Sequence, residues 1–337
     1  MPKKPKKPKL PILLSRKIYK TGQTRGADDD VIYQNRVGRN STVLIPFEFI
    51  IPEENRWALN FEYENGYIVL ISPDDYYGES ASETRKIMNE SGLMLGENAL
   101  LFYTQRYQYN QYNPQINGIS QSEPMSRKAP LGGDFVCRIA ATTSSYQGEK
   151  INKGYNTTQS KGAGIRLYEY ANSAVIEKCR IQLEAIYWLC ADSLESAALN
   201  EMSPENANQR RDLALAEAEA LGLLDKRLLR EKRIIDEEDH SVCPLCLAKL
   251  SAKGFFSRLE QQEFRQVHDL TVTEINLFHI NELRYGAFNH EPYNLGWGHH
   301  HCNVVVKDSG IDNTLAWMSE VIERNLRLDA ATESDAT

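Results

Sequence analysis

Two short clusters of soft ligands stand out late in the chain: Cys243-Pro244-Leu245-Cys246 and His299-His300-His301-Cys302. A CxxC pair and an HxxC pair together offer three sulfurs and one imidazole nitrogen, a donor set that suits one tetrahedral zinc ion. Each two-residue spacer lets its pair grip the ion from a tight turn. Using His300 instead of His299 would leave only one residue before Cys302, so the expected ligands are Cys243, Cys246, His299 and Cys302. In a cytoplasmic chain such pairs bind metal more often than they form disulfides. Six cysteines in 337 residues are too few for a disulfide scaffold. Cys179 and Cys190 fall on an apolar helical stripe and are expected to be inert core residues.

All seven histidines follow residue 239, whereas 15 of the 17 tyrosines precede residue 240. The sequence therefore reads as a tyrosine-rich polar module followed by a His/Cys module where chemistry is concentrated. Between the two ligand clusters lie Leu277-Phe278-His279-Ile280-Asn281-Glu282-Leu283 and His290-Glu291-Pro292-Tyr293-Asn294-Leu295, and Asn303 directly follows Cys302. Fourteen residues separate His279 from Asn294 and eight separate Asn294 from Asn303. This order of motifs around a zinc knuckle resembles the HNH (ββα-metal) endonuclease family. The resemblance covers about 243–310, under a quarter of the chain.

The resemblance implies roles residue by residue. His279 is the general base that takes a proton from water, a task for which neutral imidazole is suited near pH 7. Asn294 bonds across the loop to hold His279 in place. Asn303 ligates a catalytic Mg²⁺ or Mn²⁺, hard ions that favour oxygen donors, while the zinc is structural. One position departs from the family: the residue before the general base is usually an Asp or His that also ligates the ion, and here it is Phe278. Glu274, Asn276, Glu282 or Asp308 would have to complete the coordination, unless phosphate and water do so.

The elements that must position these groups follow from periodicity and turn chemistry. Residues 1–30 begin with alternating Pro and Lys and are expected to form a flexible basic tail. Strands are expected over Thr42–Ile51, with Pro46 marking an edge or bulge, and on either side of Glu64-Asn65-Gly66 as a tight hairpin. Further strands are expected at Ala99–Tyr103, Phe135–Ala140 and Gly164–Tyr170. Val175, Cys179, Leu183, Ile186, Cys190 and Leu194 form one helical stripe, and Ser203-Pro204-Glu205 opens a second helix that breaks near Gly222. Ile311–Leu326 reads as a closing amphipathic helix that packs Trp317.

The resulting expectation is an α+β chain. Residues 31–202 form a β-rich DNA-recognition domain with a long helix, 203–239 a helical linker, 240–330 a zinc-stabilised HNH nuclease domain, and 331–337 a disordered tail. A large recognition module joined to HNH chemistry, with no helicase or methylase motif, resembles type II restriction endonucleases of the HNH class. Its implied partner is double-stranded DNA, cut at specific sites by a homodimer if those sites are palindromic. Arg36 and Arg39, the amide-rich run Phe102–Asn113 with Arg106, and Lys307 one turn beyond Asn303 are the candidate DNA contacts. Two other readings stand beside this one: a modification-dependent or homing-type HNH nuclease, and a catalytically inactive, zinc-stabilised DNA-binding protein. The net charge of −7 neither indicates nor excludes a polyanion partner, because a local groove decides DNA binding. No run approaches the roughly 18 apolar residues of a membrane span, and the start lacks a secretory cleavage pattern, so a cytoplasmic location is expected.

Overall fold

The computed structural model describes residues 7–19, 42–122, 132–142, 148–153, 164–257, 273–307 and 309–334. The chain divides into two compact units, one of Gly22–Ser173 and the other of Met1–Thr21 with Ala174–Thr337. Among the described residues no helix is long and apolar enough to cross a membrane.

The Gly22–Ser173 unit is built on six strands: β1 (Val43–Pro46), β2 (Tyr67–Ile71), β3 (Ala99–Tyr103), β4 (Phe135–Ile139), β5 (Ile151–Lys153) and β6 (Ile165–Arg166). Their order is β5-β4-β3-β2-β1-β6. All neighbours are parallel except β4 and β5. Parallel strands are covered on both faces and read as continuous apolar runs; Val69, Leu101 and Val136 are accordingly inaccessible, and Leu44, Ile68, Leu70, Leu100 and Val136 form one cluster. The expected hairpin at Asn65-Gly66 is absent. Gly66 does make a tight turn, with φ +71° and its N–H donating to Tyr63 O. The segment leading into that turn, however, is the 3₁₀ helix Glu53–Asn60, started by Pro52 and two acidic residues, and β2 then runs parallel to β1. Pro46 ends an interior strand, which is tolerated because β6 pairs only with Val43 and Leu44. β6 is shorter than the predicted Gly164–Tyr170 strand and gives way to the 3₁₀ turn Leu167–Glu169.

The other unit is organised on the helix Ser173–Trp188, which begins at the unit boundary and buries Cys179, Leu183, Ile186 and Tyr187 completely. The long helix thus belongs with the C-terminal unit rather than with the strand module. Cys190 also lies in this core, its thiol pushed up to about 12 by burial. Tyr187, Phe255 and Trp297 stack edge to face with centroids about 5 Å apart, and the Trp297 indole donates to Leu183 O at 2.8 Å. Ser203 caps the helix Pro204–Ala220 by accepting from Asn206 N, and the chain turns through Gly222 at φ +69° into Lys226–Glu231.

The expected flexible tail contains a folded element. Ile12–Tyr19 is a helix that buries Leu14, Lys17 and Ile18 at i, i+3 and i+4. The buried Lys17 ammonium donates to Thr273 Oγ1 and to Ile275 O. Upstream, Arg210 holds Pro8 O at 2.7 Å while forking onto Glu184 at 2.6 Å. The prolines of this segment all precede Ile12, so they do not interrupt the helix. At the other end, Ile311–Ser334 is helical as expected, but Leu315 and Met318 pack on the core while Trp317 is exposed.

Candidate active site and metal cluster

Two strands, β7 (Ile275–His279) and β8 (Leu295–His299), pair antiparallel and run into the helix His300–Val306. The register opposes Ile275 to His299 and His279 to Leu295. The ladder's two ends therefore present different groups: His299 at one, His279 at the other.

At the His299 end, Val242 and Lys249 bridge antiparallel and enclose a tight turn. Cys243 N donates to Ala248 O, and Leu247, at φ +59°, donates back to Cys243 O. The Arg233 guanidinium binds Pro244 O at 2.7 Å and Leu245 O at 3.2 Å, fixing the turn from outside. His299 ends β8, and Cys302 lies in the first turn of the following helix. The donor atoms of Cys243, Cys246, His299 and Cys302 all lie within 4.8 Å of one another, and Cys246 Sγ is 3.4 Å from His299 Nδ1. Sulfurs around a tetrahedral ion with 2.3 Å bonds stand about 3.8 Å apart, so the cluster fits such an ion with little movement. Burial, followed by the neighbouring sulfurs, pushes the Cys302 thiol well above its ordinary value, and burial raises Cys243 too. Burial and the adjacent His301 lower His299, leaving its imidazole available as a neutral donor. Without a cation the buried thiols are held protonated; a soft divalent ion would replace those protons. His300 is not part of the cluster: its Nδ1 lies 3.2 Å from Asn276 Nδ2.

At the other end, His279 closes β7. Asn294 is buried just before β8; its Oδ1 accepts from Asn281 N at 2.7 Å and its Nδ2 donates to Asn289 O at 2.7 Å. One carboxamide thereby ties the chain just after His279 to the loop that returns toward β8. The backbone adds Ile280 N to Asn294 O at 3.0 Å. Asn303 projects from the helix against β7, its Nδ2 donating to Leu277 O at 3.1 Å. This donation leaves the amide oxygen as the atom that could hold a hard cation.

Phe278 occupies the position at which a metal ligand was wanted. Neighbouring residues on a strand face opposite ways, and the Phe278 ring is fully buried. It lies over Gly298, where a Cβ would come within 2.5 Å of the ring. Of the proposed substitutes, Asn276 donates to Thr273 O and Glu274 is exposed, its carbonyl accepting from His300 N. Glu282 is half-buried, and Asp308 lies outside the described residues.

Sequence reasoning missed His290. It is completely buried, and its Nδ1 stands 3.3 Å from His279 Nε2, with ring planes at 53°. The available signal was its place between His279 and Asn294 in the resembling motif. His301 stacks on His299, and His240 belongs to a surface group with Asp236, Glu238 and Lys249. His268, Arg36 and Arg39 lie outside the described residues. Lys307 is exposed but stands just past the helix end, at φ +49° rather than on it. Arg106 is half-buried, with its guanidinium on Glu149 O and Ala140 O. Gln108, expected to read bases, is buried and binds Thr104 N, Gln105 N and Asp74 instead.

The sequence profile of the BstXI restriction endonuclease family matches residues 16–300. The chain belongs to that family. The match takes in both units and most of the groups just described, including Cys243, Cys246, His279, Asn294 and His299. Among solved structures, a crystal structure of a type II restriction endonuclease is similar at 16% identity and a TM-score of 0.29. The alignment covers 47% of this chain and 57% of that one, so the chain spans little more than half of its length. No curated protein matches significantly.

Proposed function

We propose that this member of the BstXI family is a type II restriction enzyme that cuts double-stranded DNA at specific sites, using an HNH site on β7, β8 and the helix His300–Val306. The observation that carries this reading is that His279 ends β7, Asn294 ties the chain just after it, and Asn303 bonds to β7 from the following helix, on a hairpin whose other end bears the Cys₃His cluster. In it, a water attacks the scissile phosphorus while His279 takes the water proton, and the 3′ oxygen departs, to be protonated from solvent. Asn294 braces the loop beside His279. Asn303 supplies an oxygen ligand for Mg²⁺ or Mn²⁺, which when bound stabilises the charge on the phosphorane and the leaving oxygen. The Cys₃His cluster holds structural zinc. The Gly22–Ser173 unit supplies recognition, Arg36, Arg39 and Lys307 contribute DNA contacts, and a homodimer acts in the cytoplasm on palindromic DNA.

The burial of Phe278 favours one competing reading, a zinc-stabilised DNA-binding protein without catalysis, because a phenyl ring gives the catalytic ion no ligand. Incubating plasmid and phage DNA with purified protein and Mg²⁺ or Mn²⁺, alongside His279→Ala, separates the two. Discrete fragments from the wild type and none from the variant support the nuclease. Binding without cutting under all metals supports the alternative, and undiminished cutting by the variant removes His279 from its role.

A further inference from the structure

We propose that His290 is a positioning residue that sets the tautomer of His279, forming an imidazole pair in which His279 Nε2–H donates to His290 Nδ1. The proposal rests on the reading of His279 as the general base. A 3.3 Å separation between two ring nitrogens is a hydrogen-bond distance, and such a bond requires one N–H and one lone pair. The two possible assignments have opposite consequences. If His290 donates, His279 Nε2 is an occupied acceptor and its Nδ1 carries the proton, so the ring cannot accept another without losing this bond. If His279 donates, its Nδ1 holds the lone pair and can take the proton from water. The resulting imidazolium keeps its Nε2–H on His290 in a bond that strengthens with the positive charge.

His290 is built to stay where it is. Its exposure is zero, and the surrounding loop is tied at several points. Asn289 O accepts from Asn294 Nδ2 and from Glu291 N, Asn289 Nδ2 donates to Glu282 O, and Asn294 N donates to Glu291 O. The brace attributed to Asn294 therefore fixes the residue immediately before His290 as well as the strand end that carries His279. A neutral, buried acceptor orients the base without a fixed negative charge, unlike the carboxylate that serves this purpose in Ser-His-Asp sites.

The test uses the full-length, zinc-loaded protein labelled with ¹⁵N-histidine, with two variants. His290→Leu removes the acceptor, and His290→Asn keeps an oxygen near the Nδ1 position. Imidazole ¹⁵N shifts, with the His279 signals assigned by their loss in His279→Gln, report the tautomer whether or not the protein cuts DNA. Single-turnover cleavage of plasmid reports the rate. The expected wild-type state is His279 with a protonated Nε2 and a bare Nδ1. In His290→Leu this becomes a tautomer mixture, and cleavage falls at least about 100-fold with DNA affinity little changed. His290→Asn retains the wild-type tautomer and recovers most of the rate. An unchanged His279 tautomer in His290→Leu, or cleavage within twofold of wild type, overturns the proposal. Should the leucine variant not fold, the asparagine variant decides: loss of both the tautomer and the rate refutes the pairing. A wild-type protein that never cuts defeats the nuclease reading instead, and the ¹⁵N spectra still judge the pair.

Discussion

Replacing Asn294 with alanine tests whether one side chain braces the site. The carboxamide makes two bonds of 2.7 Å, from Asn281 N and to Asn289 O; its third contact, 3.5 Å to Asn281 O, is too long to add much. Alanine would leave one amide N–H and one carbonyl seeking new partners. Each lost bond in a partly buried setting is worth about 1–1.5 kcal/mol, so Asn294→Ala should lower unfolding stability by about 2–3 kcal/mol. An exposed Asn→Ala change typically stays within about 0.5 kcal/mol. With a urea m-value of about 2 kcal/mol/M, the midpoint should move down by about 1 M. Asn294→Asp separates the two halves of the brace: it keeps an acceptor for Asn281 N but turns a carboxylate oxygen toward Asn289 O, so it should destabilise at least as much as alanine. Because the brace also positions the loop beside His279, cleavage should fall by more than tenfold under conditions where each variant remains folded. Urea titration followed by circular dichroism, together with single-turnover cleavage, provides both readouts. An alanine variant with the wild-type midpoint, or one that cuts at the wild-type rate, would refute the reasoning.

Three further outcomes are expected. Metal analysis of purified protein should find one zinc per chain, and Cys302→Ser should lose it and lower the melting temperature; because the Cys243 and Cys302 thiols are raised when no metal is present, zinc binding must displace protons and should weaken as the pH falls. Phe278→Asp, which restores the ligand type usual in HNH sites, should unfold the hairpin rather than improve cutting, since the new carboxylate would be buried over Gly298; Phe278→Ala alone should cost about 3–5 kcal/mol in denaturation experiments. Lys17→Met should raise amide hydrogen exchange along β7 and lower stability by about 1–3 kcal/mol, because Thr273 Oγ1 and Ile275 O lose a charged donor; unchanged exchange would return the N-terminal segment to the status of a tail.

What was legible in the sequence was local. The CxxC and HxxC spacings anticipated a four-donor cluster because each pair is held by a single turn. The stripe from Val175 announced the helix Ser173–Trp188, and the Ser203-Pro204 start a second one, through spacing and capping alone. The stripe was carried on to Leu194, however, past the break after Trp188 and into the separate helix Ser193–Leu199. Pairing between distant segments was not legible. Asn65-Gly66 carries real turn chemistry, but whether the chain entering the turn is strand or 3₁₀ helix depends on Pro52 and on where β1 pairs. The clue to a parallel sheet was present in VLI, IVLI and ALLFY, which are apolar without alternation, as strands covered on both faces require. The Ile12–Tyr19 helix was hidden by the Lys/Pro run before it, although Leu14, Lys17 and Ile18 already have helical spacing. Nothing in the types of Arg106 or Gln108 distinguishes a side chain that reads DNA from one that binds its own backbone; only the fold decides that.

The hairpin also explains why this chain would need two separate braces around so small a site. Five residues per strand give a ladder of about 14 Å, with the Cys₃His cluster at the Ile275–His299 end and the Asn294 loop at the His279–Leu295 end. Core packing holds the ladder itself along its whole length, from Ile275 through Phe278 and Trp297 to Leu295, so what the two clamps hold is the chain beyond its ends. A metal ion in the cluster would clamp the turn at Cys243 to the start of the helix that carries Asn303, positioning the proposed metal ligand from one end. The Asn294 carboxamide clamps the chain beyond His279 to the loop that carries His290, so the proposed base is positioned from the other. Chemistry at a single phosphate requires both groups in register at once, and neither clamp can substitute for the other because each acts on a different end of the same ladder.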